Sequence, residues 1–147
     1  MHDIKERLSL FWIFALLNYL YADVVALFAV VGARNIAEEA PHLSQWALIG
    51  SAVFMEIPIA MIVASRLLPF PANRLANLIA GSVLTLVNGA VTFVAPLAGW
   101  GRPPALAAYL FFGTIETVCT LVIVWQAWTW SRVEGAEQAV GHSRVPA

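Results

Sequence analysis

LSQWALIGSAVFMEIPIAMIVASRLL (residues 43–68), PFPANR (69–74) and LANLIAGSVLTLVNGAVTFVAPL (75–97) decide the fold: two long apolar runs divided by a short stretch that holds two prolines. Each run exceeds the roughly 20 residues that a helix needs to cross a hydrocarbon core about 30 Å thick. Neither alternates as a barrel strand would, and a bilayer offers no partner to unpaired backbone groups. Both are therefore predicted to span a membrane as helices, and so short a connection folds the second back beside the first.

Outward from this hairpin the pattern recurs. An apolar run from Leu8 to Val31 precedes it and one from Pro104 to Trp130 follows, across breaks at Gly32 to His42, with Glu38, Glu39 and Pro41, and at AGWGRP (98–103). The sequence predicts an all-α, integral membrane four-helix bundle, up-down-up-down, over residues 1–130. Its helices cover about 8–31, 43–68, 75–97 and 104–130, and residues 131–147 form a polar tail that frays. Composition agrees: 61% of residues are hydrophobic and 12% charged, more apolar surface than a short soluble chain can hide.

The same composition excludes several functions. A net charge of -1 gives no clustered basic face for nucleic acid. The lone Cys119 can form neither an internal disulfide nor a thiolate metal site, and the three histidines fall in terminal or loop segments, so no metal and no cofactor is expected. The first run follows Lys5 and Arg7 as a signal peptide would. Its apolar stretch is far longer than the roughly 7–15 residues of a secretory h-region, and it carries Asn18, Tyr19 and Asp23, so it is read as a retained helix.

Lysine and arginine placement sets the orientation. Lys5, Arg7, Arg66, Arg74, Arg132 and Arg144 share one side and only Arg34 and Arg102 the other, which puts both termini in the cytoplasm. Trp125, Trp128 and Trp130 then belong to the inner aromatic belt, Trp46 and Trp100 to the outer one.

Asp23, Glu56 and Glu116 lie well inside apolar runs, where a charge costs at least roughly 2.5–3.5 kcal/mol. Counted inward from the outer helix ends, they sit roughly 12, 20 and 18 Å deep, and Asn88 roughly 13 Å. No lysine or arginine shares their level. Spacings of three and four place them on small-and-polar stripes: Trp12, Leu16, Tyr19, Asp23 and Ala26; Ala52, Glu56, Ala60 and Val63; Asn77, Gly81, Thr85, Asn88 and Thr92; and Tyr109, Gly113, Glu116, Cys119 or Thr120, and Ile123. Packing that turns all four stripes inward leaves a central cavity, and Pro58 frees the Phe54 carbonyl beside Glu56. Carboxyls clustered in low dielectric without cationic partners are driven toward the neutral form. A neutral acid can donate a proton that an ionised neighbour accepts.

Plainer roles compete. Asn18, Asn77, Asn88 and the threonines serve equally as interhelical glue, and Tyr19 as a core aromatic with a satisfied hydroxyl. Three acids without basic partners are harder to explain structurally.

The stretches RLSLFWIFALLNYLYADV, EIPIAMIVASRLLPFPANRLANLIAG and IETVCTLVIVWQAWTW resemble a family of small four-helix bacterial membrane proteins of unknown function, grouped with DoxX-like proteins. The resemblance covers most of residues 5–130 and rests on Asn18, Tyr19, Asp23, Glu56, Arg74, Asn77 and Glu116. It implies the fold and a bacterial cytoplasmic membrane and supplies no activity. More remotely, the arrangement is similar to membrane sterol isomerases and integral-membrane terpene cyclases, which use buried acids and aromatics on lipophilic substrates; no shared motif carries residues across.

The leading expectation is an enzyme that isomerises or cyclises an isoprenoid-like lipophilic molecule arriving through the membrane lipid, by carbocation-type chemistry. Asp23 and Glu56 are its acid and base in either order and Glu116 tunes them, with Trp12, Tyr19, Asn88, Tyr109 and Thr120 binding substrate. Two alternatives stand beside it. One is a proton-coupled or cation-binding transporter working as a homodimer. The other is an accessory subunit whose acidic faces contact another membrane protein.

Overall fold

Proline fixes φ near the helical value and lacks the N–H that a first turn cannot use, so PFP starts a helix as firmly as it ends one. The computed structural model describes residues 2–32, 44–98 and 106–142. In it α1 spans His2–Gly32, α2 Gln45–Leu67, α3 Phe70–Leu97 and α4 Leu106–His142. All four are long and apolar enough to cross a membrane, and among the described residues there is no strand.

Three boundaries differ from the sequence reading, the first being that α1 already begins at His2 rather than near Leu8. Helix α3 begins at Phe70, not near 75, because Pro69 caps it in extended geometry and its carbonyl accepts from the Asn73 amide at 2.8 Å. Helix α4 continues through the first part of the expected tail to His142, across a stretch rich in Glu, Ala and Gln that favours helix. Arg34, Glu38, Glu39, Pro41, Trp100, Arg102, Arg144 and the Arg132 side chain lie outside the described residues.

Helix α1 packs on α2 and α4, and α3 packs on α4; α2 and α3 touch least despite their tight turn. The core joins Leu8, Trp12, Ala15 and Tyr19 of α1 to Met61 of α2, Leu84 of α3, and Cys119, Ile123 and Trp130 of α4. Leu10, Phe14, Leu17, Phe28, Leu86 and Phe111 point outward, the distribution expected where hydrocarbon is the solvent.

Three of the four predicted stripes face inward at least in large part. On α3, Asn77, Gly81 and Thr92 are buried; on α4, Gly113, Glu116, Cys119, Thr120 and Ile123; on α1, Trp12 and Tyr19. The α2 stripe does not: Ala52, Glu56, Ala60 and Val63 are all exposed, and Pro58, Met61 and Ser65 make the packed face instead. Apolar residues surround α2 on every side, so only the small polar Ser65 marked the true seam.

Helix α3 also holds a feature that periodicity missed, a π-helical turn at Ala90–Val94 between Phe70–Gly89 and Ala95–Leu97. Such turns insert one residue and re-aim the side chains beyond it. Here Thr92 turns inward, 1% exposed, against the bare backbone of Gly113. A Cβ on Gly113 would collide with the Thr92 side chain, and one on Gly81 would come within 2.7 Å of Val124. Both glycines therefore serve close approach of α3 to α4.

Candidate functional site

Two polar layers cross the helices, one toward the 68–69 turn and one nearer the middle of the helices. In the first, Asn77 is the hub. Its Oδ1 accepts from Trp12 Nε1 at 2.7 Å and from Ser65 Oγ at 3.3 Å, while its Nδ2 donates to Asn73 O at 2.9 Å and Asn73 Oδ1 at 2.7 Å. An amide offers two acceptor and two donor positions, so Asn77 is fully used. Asn73 Nδ2 donates in turn to Ser65 O at 2.6 Å. Ser9 Oγ donates to Ile62 O at 3.1 Å and accepts from Arg66 Nε at 3.0 Å. Lys5 Nζ closes the hairpin on Leu68 O at 2.6 Å, and Arg74 Nε reaches Ala127 O at 3.1 Å. All four helices are tied, and the polar atoms of the Asn77 side chain are matched, as a low-dielectric interior demands, while at the same end Gln126 Oε1 and Trp130 Nε1 are buried without a partner.

The second layer, roughly 16 Å further along α3 by the rise from Asn77 to Asn88, is built around Glu116. This side chain is 3% exposed and its Oε1 has no hydrogen-bond partner. The Asn88 amide faces the carboxyl; its Nδ2 also lies 3.3 Å from both Gly113 O and Thr117 Oγ1. Asp23 lies close enough for the two carboxylates to interact. The Glu116 charge likewise reaches the hydroxyls of Tyr19 and Tyr109. Tyr19 is 5% exposed, stands edge-on to Phe54 with ring centroids 6.4 Å apart, and keeps an unpartnered hydroxyl. Tyr109 meets Thr92, the buried residue of the π-helical turn. No basic side chain engages Asp23 or Glu116 among the described residues.

The residues singled out from sequence thus divide. Asp23, Tyr19, Asn88 and Tyr109 gather about Glu116. Glu56 is exposed on the outer face of α2, and among the described residues no three His, Cys, Asp or Glu side chains come together as a metal site would require. The three acids expected to share one layer do not gather: Glu116 is buried, Asp23 is exposed within its electrostatic range, and Glu56 is exposed on α2. Trp12 belongs to the other layer through its bond to Asn77. Thr120 is buried and backbone-satisfied: its Oγ1 donates to Glu116 O at 3.0 Å and lies 2.8 Å from Thr85 Oγ1, a bridge between α3 and α4. Asn18 turns back on its own helix, donating to Phe14 O at 2.8 Å. Ser9, Ser65 and Asn73 escaped the sequence reading; their signal was a polar residue placed next to a charged or proline-rich helix end. Cys119, whose thiol donates to Phe11 O at 3.3 Å, ties α4 to α1.

Compared with known proteins, the chain matches no curated protein and no solved structure. The resemblance to DoxX-like proteins, sterol isomerases and terpene cyclases gains nothing from these comparisons. What does match is a family model covering residues 1–137, nearly the whole sequence, and the chain belongs to that family, described as a family of unknown function, DUF6326.

Proposed function

We propose that the protein is a membrane-embedded acid–base catalyst acting on a lipophilic, isoprenoid-like molecule, with Glu116 and Asp23 as its proton-transferring pair. One observation carries the reading. A carboxyl almost wholly buried in an apolar helix leaves an oxygen unpaired, with a second carboxyl and two tyrosine hydroxyls within electrostatic range. An unpaired buried polar atom costs roughly 1–3 kcal/mol, and intramembrane acids are retained at such cost chiefly where they act on something.

The roles follow from position. Glu116 and Asp23 give and take the proton, in either order. Asn88 orients the Glu116 carboxyl, and Tyr19, Phe54 and Tyr109 present ring faces and hydroxyls to a developing positive charge. Asp23 is exposed while Glu116 is enclosed, so a substrate arriving laterally meets Asp23 first. Glu56 stands outside this pair. The frame is the up-down-up-down bundle: partner numbers run in opposite directions between α1 and α2 (Lys5 with Leu68, Ser9 with Ile62) and between α3 and α4 (Arg74 with Ala127, Thr85 with Thr120). The basic residues of the 68–69 turn and of the α1 start then place both termini in the cytoplasm.

The test incubates the protein in proteoliposomes with a panel of isoprenoid alkenes and epoxides, in parallel with uptake driven by a pH gradient. Turnover that falls roughly 10²–10⁴-fold in Glu116→Gln and in Asp23→Asn, and little in Glu56→Gln, supports the assignment. Proton-coupled uptake that Glu116→Gln abolishes, without turnover of any substrate, replaces the enzyme by a transporter.

A further inference from the structure

At the basic end, far from Glu116, an apolar groove runs between α1 and α4. Leu10, Phe11 and Phe14 line it with Arg7 and Gln126, and its volume is about 570 Å³. That is within the roughly 300–1,000 Å³ typical of small-molecule sites. A smaller cleft of about 200 Å³ adjoins it, lined by Ile4, Arg7, Trp125, Gln126, Thr129 and Trp130. Arg7 and Gln126 belong to both, so hydrocarbon-lined space passes into polar space across these two side chains.

The cleft contains polar groups that the fold leaves unused. Trp130 is 1% exposed, yet its indole Nε1 is buried without a hydrogen-bond partner; Gln126 Oε1 is in the same state. Arg7 is exposed, and among the described residues no hydrogen bond or ion pair engages its guanidinium. Among the described residues the other cations of this end are committed: Lys5 to Leu68 O, Arg66 to Ser9 and Arg74 to Ala127 O. The described residues thus offer one uncommitted cation, an indole donor and an amide at the mouth of an apolar channel.

We propose that this groove binds one anionic phospholipid, its phosphate on Arg7 with Gln126 and Trp130 beneath and an acyl chain along Leu10, Phe11 and Phe14. Guanidinium suits phosphate because its planar fork donates two bonds at once. Tryptophan suits the glycerol level because one edge is polar and the ring is not. A soluble phosphate would leave the apolar groove empty. A second copy of the chain, whose own Asp3 and Glu6 are exposed at this end, would appear in native mass spectrometry as a lipid-free dimer and would overturn the proposal.

Native mass spectrometry of the protein, released from vesicles of equal phosphatidylglycerol and phosphatidylcholine, tests this. Wild type retains phosphatidylglycerol over phosphatidylcholine by roughly fivefold, the preference one interfacial arginine supplies. Arg7→Gln loses the preference, Arg7→Lys keeps part of it, and Leu10→Trp, which narrows the groove at an exposed position, weakens retention of both lipids. Arg66→Gln leaves the preference intact. Equal retention of the two lipids, a preference that survives Arg7→Gln or falls equally in Arg66→Gln, or displacement of the lipid by millimolar glycerol phosphate would overturn the proposal.

Discussion

Asn77 and Glu116 are both buried polar side chains in apolar helices, and the protein treats them in opposite ways. Every donor and acceptor of Asn77 is matched, and its partners tie α1, α2 and α3 together. Glu116 keeps an oxygen unpaired, meets the Asn88 amide, and has a second acid and tyrosine hydroxyls within electrostatic range. A saturated network rigidifies and specifies packing; an unsaturated one stores cost at a place where something else can relieve it. The layer by the 68–69 turn holds the structure, and the layer around Glu116 is the one to which the proposed chemistry is assigned.

Substitutions can break this contrast or sharpen it. The largest effect is expected at the hub: Asn77→Leu strands Trp12 Nε1, Ser65 Oγ and Asn73 Oδ1, and should cost about 3 kcal/mol or more, read as a lowered unfolding midpoint in detergent. A loss below about 1 kcal/mol would mean the network is not what holds the helices. Next comes Gly113→Ala, whose new Cβ meets Thr92. It should cost roughly 1–3 kcal/mol, and Gly113→Ala combined with Thr92→Ala should recover much of it in a double-mutant cycle.

Glu116→Gln is expected to change stability by less than about 1 kcal/mol in either direction, since it exchanges an unpaired buried acid for a neutral isostere. The same thermal measurement on that variant, set beside Asn77→Leu, separates the two layers. A Glu116→Gln loss as large as that at Asn77 would make Glu116 a structural residue. Smallest is Glu56→Gln, on the exposed face of α2, expected within about 0.5 kcal/mol of wild type.

Much of this was legible in the residues. Stripes on α3 and α4 contain Asn, Thr, Gly and Glu spaced three and four apart and face inward in large part, and on α1 Trp12 and Tyr19 do so while Asp23 is exposed. Helix α2 misled. Glu56, Ala52 and Ala60 look like a small-and-polar stripe, but Met61 and Ser65 sit on the packed side, and apolar side chains suit lipid and protein equally. Without a solvent that penalises hydrocarbon, hydrophobicity does not choose a face.

Composition, run length and the prolines at 69 and 71 determined by themselves that the chain forms four long apolar helices, because a backbone in hydrocarbon has almost no other way to satisfy its hydrogen bonds. The tertiary structure alone decided which buried polar groups are matched and which are left over. That Asn77 is saturated, that Thr92 packs on the backbone of Gly113 and that Glu116 is buried while Glu56 is exposed all depend on how helices distant in sequence rotate against one another. Periodicity records the faces a helix possesses; only contact between helices selects among them.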